Sequence, residues 1–156
     1  MNIFATYSDP HDSAFALDDK RAIKMILESA QLMSTAINLS GGKAPYKTTH
    51  PNHPVSIWTR QNNTNYWWLF EHYQALCQVY YDRFNKRHKT LDYILEFRDG
   101  VFKFPKSDLT PFANCTEFKN IKDVHEAYRL QLNKKWANDK RSPKWTNAKP
   151  PEWAKL

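Results

Sequence analysis

The chain has 156 residues, enough for one domain with a real hydrophobic core. Aromatic residues make up 15% of it and supply that core, whereas three glycines leave little material for hairpin turns or a phosphate-cradling loop, so helices are favoured over sheets. A formal net charge of +7 points to a polyanionic partner, and no run of about 18 apolar residues or basic leader with an apolar core is present, so a soluble, cytoplasmic protein is expected.

In chain order, Met1 to Tyr7 is a short apolar and aromatic segment, and Ser8-Asp9-Pro10 reads as a helix start, with Asp9 as cap and Pro10 in the first helical position. The stretch from Leu17 to Thr35 separates two faces. Ile23, Ile26, Leu27, Ala30, Met33 and Ile37 recur at the steps of a buried helical stripe, and Arg21, Lys24, Glu28, Gln31 and Thr35 follow the same steps on a polar face. Asp18 or Asp19 is placed to accept the free N–H groups of the first turn. The helix is expected to end between Asn38 and Gly42, where Gly41 and Gly42 permit a left-handed residue.

Three prolines between Lys43 and Pro54 make a stiff loop. From Asn62 or Thr64 to about Asn85 a second long helix is predicted, with Tyr66, Leu69, Phe70, Tyr73, Leu76, Cys77, Tyr80 and Phe84 at helical spacing. Thr90 to Phe97 is a short helix closed by Asp99-Gly100, and the region to Phe118 is irregular around Pro105 and Pro111. Asp123-x-x-Glu126 opens a final helix with Val124, Tyr128, Leu132 and Trp136 as its buried stripe. The prediction is an all-α domain over residues 1–139, two long helices and at least one more, followed by a basic arm at 140–156 that packs on it or extends from it.

Cys77 and Cys115 stand without metal-binding or disulfide spacing and read as reduced thiols. Glu28 with His50 and His53 lacks the spacing of a metal site, so neither metal nor cofactor is expected. The proline-rich loop and the second helix gather polar groups suited to holding a base or a phosphate: His50, Asn52, His53, Arg60, Asn65, Tyr66 and His72. From Lys134 to Leu156, six lysines and one arginine face two carboxylates, and Lys144-Trp145 pairs a cation with a ring that can stack on bases. The row of Arg21, Lys24 and Arg60 is the alternative DNA-binding face, with the tryptophans then pinning the arm to the helices.

FALDDKRAIKMILESAQLMSTA, with Phe4 upstream and His50-Pro51 and Asn52-His53-Pro54 downstream, resembles the phage pyrimidine-dimer DNA glycosylases and their endonuclease V-like relatives. In that family an aspartate near the start of the first long helix precedes the catalytic glutamate by nine residues; Asp19 and Glu28 stand at that spacing. The resemblance implies an enzyme on DNA, a glycosylase with or without abasic-site lyase activity, and for a phage-encoded chain the host cytoplasm. It assigns catalysis to Glu28, with Asp19, and an amine that captures C1′. The family's best-known members use a threonine exposed by removal of the initiator methionine, whereas this chain begins Met1-Asn2. The amine is then that of Met1, or of Lys24 if burial strips its proton. A base-modifying transferase on the same fold, and a non-catalytic DNA-binding or inhibitor protein, are the other two readings of the same residues.

Overall fold

A computed structural model describes residues 1–156 as an all-α fold without strands. Asp9 opens α1 (Pro10–Phe15), its carboxylate accepting the His11 and Asp12 amides beside Pro10. Two long helices follow, α2 (Asp19–Leu39) and α4 (Asn63–Phe84), with α3 (Pro54–Gln61) between them. Residues 55–61 carry no helix prediction from the sequence, yet His53 caps α3 and Pro54 occupies its first position. Asn62 then caps α4, and Asn85, with φ of 54°, ends it in the left-handed conformation. A 3₁₀ turn (Lys89–Tyr93), α5 (Ile94–Asp99) and a second 3₁₀ turn (Gly100–Lys103) lead through an irregular stretch to α6 (Val124–Asn138). No helix is long and apolar enough to cross a membrane.

Helix α4 supplies the centre of the core. Tyr66, Leu69, Tyr73 and Leu76 are fully buried, and Trp58, Trp68 and Phe112 pack as an aromatic group with ring centroids 4.9–6.1 Å apart. Each large apolar side chain so buried contributes about 1.5–3 kcal/mol. Tyr128, Leu132 and Trp136 form the inner stripe of α6.

Two expectations for α2 are corrected. Ile23 and Leu27, assigned to its buried stripe, are about 40% exposed, while Arg21 and Thr35, assigned to its polar face, are buried. The cause is that α2 is gripped on more than one side. Helix α4 lies against it, Thr35 ties it to the loop before α3, and Arg21 pairs with Asp139 beyond α6 at 2.8 Å. The exposed strip that remains is narrow: Lys20, Ile23, Lys24 and Leu27, with half-buried Glu28 at its edge.

The start of α2 also differs. Asp18 occupies the cap position without a capping bond; its carboxylate accepts the Trp136 indole N–H at 2.8 Å and pairs with Arg21. The arm packs on the domain: Trp153 stacks on Trp136 at 5.6 Å and Trp145 meets it edge-on at 5.1 Å.

Candidate functional site

The N-terminal segment is threaded across the bundle and fixed residue by residue. Asn2 Oδ1 accepts the Ile3 and Phe4 amides at 2.7 and 2.9 Å, and Phe4 takes φ of 46°, unusual for a side chain of its size. From α6, His125 Nδ1–H donates to Ala5 O at 2.7 Å and Arg129 Nε–H to Thr6 O at 2.9 Å. Arg129 also lies over the Tyr7 ring at 4.6 Å. The Met1 side chain is almost wholly covered. This threading brings the Met1 α-amine to 3.7 Å from Glu28 Oε1. The second carboxylate oxygen, Oε2, is buried and has no hydrogen-bond partner in the fold. A buried acceptor left unpaired is costly unless something else is meant to occupy it.

On the loop before α3, His53 lies within electrostatic reach of the Met1 amine. Helix α2 templates the loop: Asn38 accepts the Ala44 amide at 2.8 Å and donates to Tyr46 O, and the Thr35 hydroxyl both donates to Thr49 O and accepts the Thr49 amide. His50 is exposed with φ of 47°, and its carbonyl accepts the His53 amide. His53 is half-buried. Burial, the Met1 amine, His50 and Lys119 together hold its imidazole below the ordinary histidine range. Lys119, bonded to Asn114 O, escapes sequence reasoning because it lies in the irregular stretch with no periodic signal.

The other residues singled out from the sequence fall elsewhere. Asn52 is exposed on the same loop, and Arg60 donates to Ser56 Oγ at 3.1 Å within α3. Asn65 is buried and holds Trp58 O and Thr110 Oγ1; Tyr66 is buried and donates to Phe97 O. His72 is fully buried, stacked on Trp68, with Nδ1–H donating to Pro10 O at 2.9 Å. Burial pushes its pKa down to about 4. Lys24 is exposed one turn before Glu28. Asp19 pairs with Arg83 at 3.1 Å and binds Thr146, so its carboxylate faces the arm. Arg21 is enclosed by Asp18 and Asp139 and is not available as a surface cation; its hydrogen bond holds the Asp139 carboxyl below the usual range.

Trp145 was expected to offer a stacking surface to DNA. Its side chain is buried and its indole N–H donates to Ala16 O at 3.1 Å, so the ring pins the arm instead. Lys144 remains exposed while its carbonyl accepts the Asp19 amide. A polar cleft of about 480 Å³ is lined by Lys20, Asn138, Asp139, Lys140 and Arg141. No group of three or more His, Cys, Asp or Glu side chains is arranged to hold a metal ion.

The family model for pyrimidine dimer DNA glycosylase matches residues 1–92. The chain belongs to the pyrimidine dimer DNA glycosylase family. No curated protein and no solved structure matches it. Family membership brings a glycosylase-type function on DNA, and the matched stretch contains Met1, Glu28 and the loop with His50 and His53. The glycosylase-family segment is completed from outside itself: Lys119, α6 and the arm all lie beyond residue 92.

Proposed function

We propose that the protein excises a pyrimidine from DNA, with Glu28 stabilising the positive charge that develops on the deoxyribose and the Met1 α-amine attacking C1′. The observation that carries this reading is the Met1–Glu28 pair, an amine 3.7 Å from a carboxylate whose other oxygen is buried and unpartnered. A carboxylate withdrawn from water acts on a transition-state cation far more strongly than a solvated one.

In its free form the amine places its lone pair on C1′ as the C1′–N bond to the base breaks. The bonding pair leaves with the pyrimidine, which takes a proton from solvent, and the amine loses one. Breaking C1′–O4′ then opens the sugar and leaves an imine between protein and DNA. Loss of the C2′ proton from that imine expels the 3′ phosphate, which is the lyase step. Glu28 stands at the edge of a helix, so the target nucleotide has to leave the base stack to reach it. Lys24 is exposed to solvent, whereas the Met1 amine is held against the carboxylate. Neither base modification nor simple DNA binding calls for an amine beside a carboxylate.

The test uses duplex DNA carrying one cis-syn thymine dimer, with borohydride added during turnover and intact mass establishing that residue 1 bears the free amine. The expected result is a reduced protein–DNA adduct that peptide mapping places at residue 1, and loss of turnover by about 10²–10³-fold in Glu28→Gln. An adduct at Lys24 would move the nucleophile there. An abasic site formed without adduct would mean direct hydrolysis, and near-normal turnover by E28Q would put the site elsewhere.

A further inference from the structure

His53 carries two hydrogen-bonding roles on one ring. Nδ1 accepts the Val55 amide at 3.2 Å, which caps α3. That bond fixes the tautomer: a neutral imidazole that accepts at Nδ1 carries its proton on Nε2. The Nε2–H makes no hydrogen bond within the fold. The ring cannot turn away without undoing the cap, and the backbone beneath it is held by the His50 carbonyl and by Thr35 gripping Thr49. A cap alone does not call for histidine, since serine, aspartate and asparagine cap at least as well.

The surroundings indicate what the free donor meets. The Met1 amine, itself paired with Glu28, and Lys119 lie within electrostatic reach of His53. A ring protonated on both nitrogens would lose the Nδ1 acceptor that caps α3, so the cap favours the neutral imidazole, and burial acts in the same direction.

We propose that His53 is a substrate-binding residue whose Nε2–H donates to a phosphodiester oxygen of the DNA strand held at the Met1–Glu28 pair, with Lys119 supplying countercharge. A neutral N–H positions that phosphate without setting another full positive charge beside the amine. The proposal rests on the reading of Met1 and Glu28 as the reacting pair.

The test separates cap from donor. His53→Asn keeps an acceptor at the cap but its amide is too short to reach where Nε2–H stands; His53→Gln restores a donor at that reach and weakens the cap. The probe is a duplex with a tetrahydrofuran abasic analogue, which binds but cannot turn over. H53N is expected to melt with wild type and bind the probe about tenfold more weakly, with an unchanged salt slope and partial recovery in H53Q. A neutral methylphosphonate placed on either side of the analogue in turn should erase the difference between wild type and H53N at one of the two positions. H53N binding within twofold of wild type, or a difference surviving both methylphosphonates, overturns the phosphate contact. Wild-type protein that binds the probe but forms no adduct on dimer DNA overturns the reacting pair while the binding comparison still decides His53; wild type that does not bind the probe overturns both.

Discussion

Asp19 grips Thr146 through both of its oxygens, taking the backbone amide at 3.0 Å and the hydroxyl at 2.6 Å. Arg83 also donates to that carboxylate, and to Phe15 O and Leu17 O, at and beyond the end of α1. Asp19 therefore joins α1, α4 and the arm. Asp19→Asn is expected to lower stability by about 1–3 kcal/mol in denaturant titration, through loss of charge-assisted bonds, while dimer-DNA turnover per folded molecule stays within a few-fold of wild type. A large drop in turnover at unchanged stability would return Asp19 to the chemistry.

Trp145→Ala removes a buried ring together with its bond to Ala16 O. The expected cost is about 3–5 kcal/mol, read as a lower denaturation midpoint. The slope of log Kd for DNA against log salt should not change. Weakened binding without loss of stability would mean that the ring stacks on a base after all.

The exposed strip of α2 presents Lys20 and Lys24 on the side of the helix that leads to Glu28. If a DNA strand follows that strip, Lys20→Gln with Lys24→Gln flattens the salt slope by about 0.9 for each phosphate that is no longer neutralised. The measurement is Kd across a salt series. An unchanged slope places the phosphates along another surface, such as the cleft of Lys140 and Arg141.

His72 gives the fold an acid sensitivity. Its pKa is about 4 when folded and near 6.5 in an open chain, so above 6.5 the ring is neutral in both states and its contribution is fully present. As pH falls from 6.5 toward 4, the unfolded chain takes a proton that the folded one refuses. About 3 kcal/mol is lost across that window. Melting temperature should drop accordingly, and His72→Gln, which keeps a donor for Pro10 O but does not titrate, should show a flatter dependence.

The two thiols should behave differently. Burial pushes Cys77 up to about 12, whereas Cys115 is partly exposed. Iodoacetamide on the native protein is expected to label Cys115 first, with Cys77 reacting only on unfolding; equal rates would mean that α4 opens readily.

Local chemistry was legible in the sequence and wiring across the chain was not. The Asp9-Pro10 start, the Gly41 exit, the aromatic register of α4 and Tyr128, Leu132 and Trp136 of the α6 stripe are encoded within a few residues and stand as read, whereas Val124, assigned to that stripe, is only half-buried. Arg21, Asp18 and Asp19 read as a polar helix start because their partners, Asp139, Trp136 and Thr146, lie more than a hundred residues away. Glu28 was visible as a member of a motif, but its pairing with the Met1 amine depends on a segment that has no secondary structure and is steered by α6. His53 was grouped with Asn65, Tyr66 and His72 by residue type, and only burial separates a ring at the loop surface from three polar groups sealed in the core.

Arg129 on Tyr7, and Trp153 donating its indole N–H to the Tyr7 hydroxyl at 2.9 Å, close the chain's first residues against its last. Contacts of such sequence separation form late, because the intervening chain has to be ordered first. The Met1 amine therefore has no fixed seat beside Glu28 until α6 has packed against the N-terminal segment, so a folding intermediate with only α2 and α4 in place still holds the amine and the carboxylate apart.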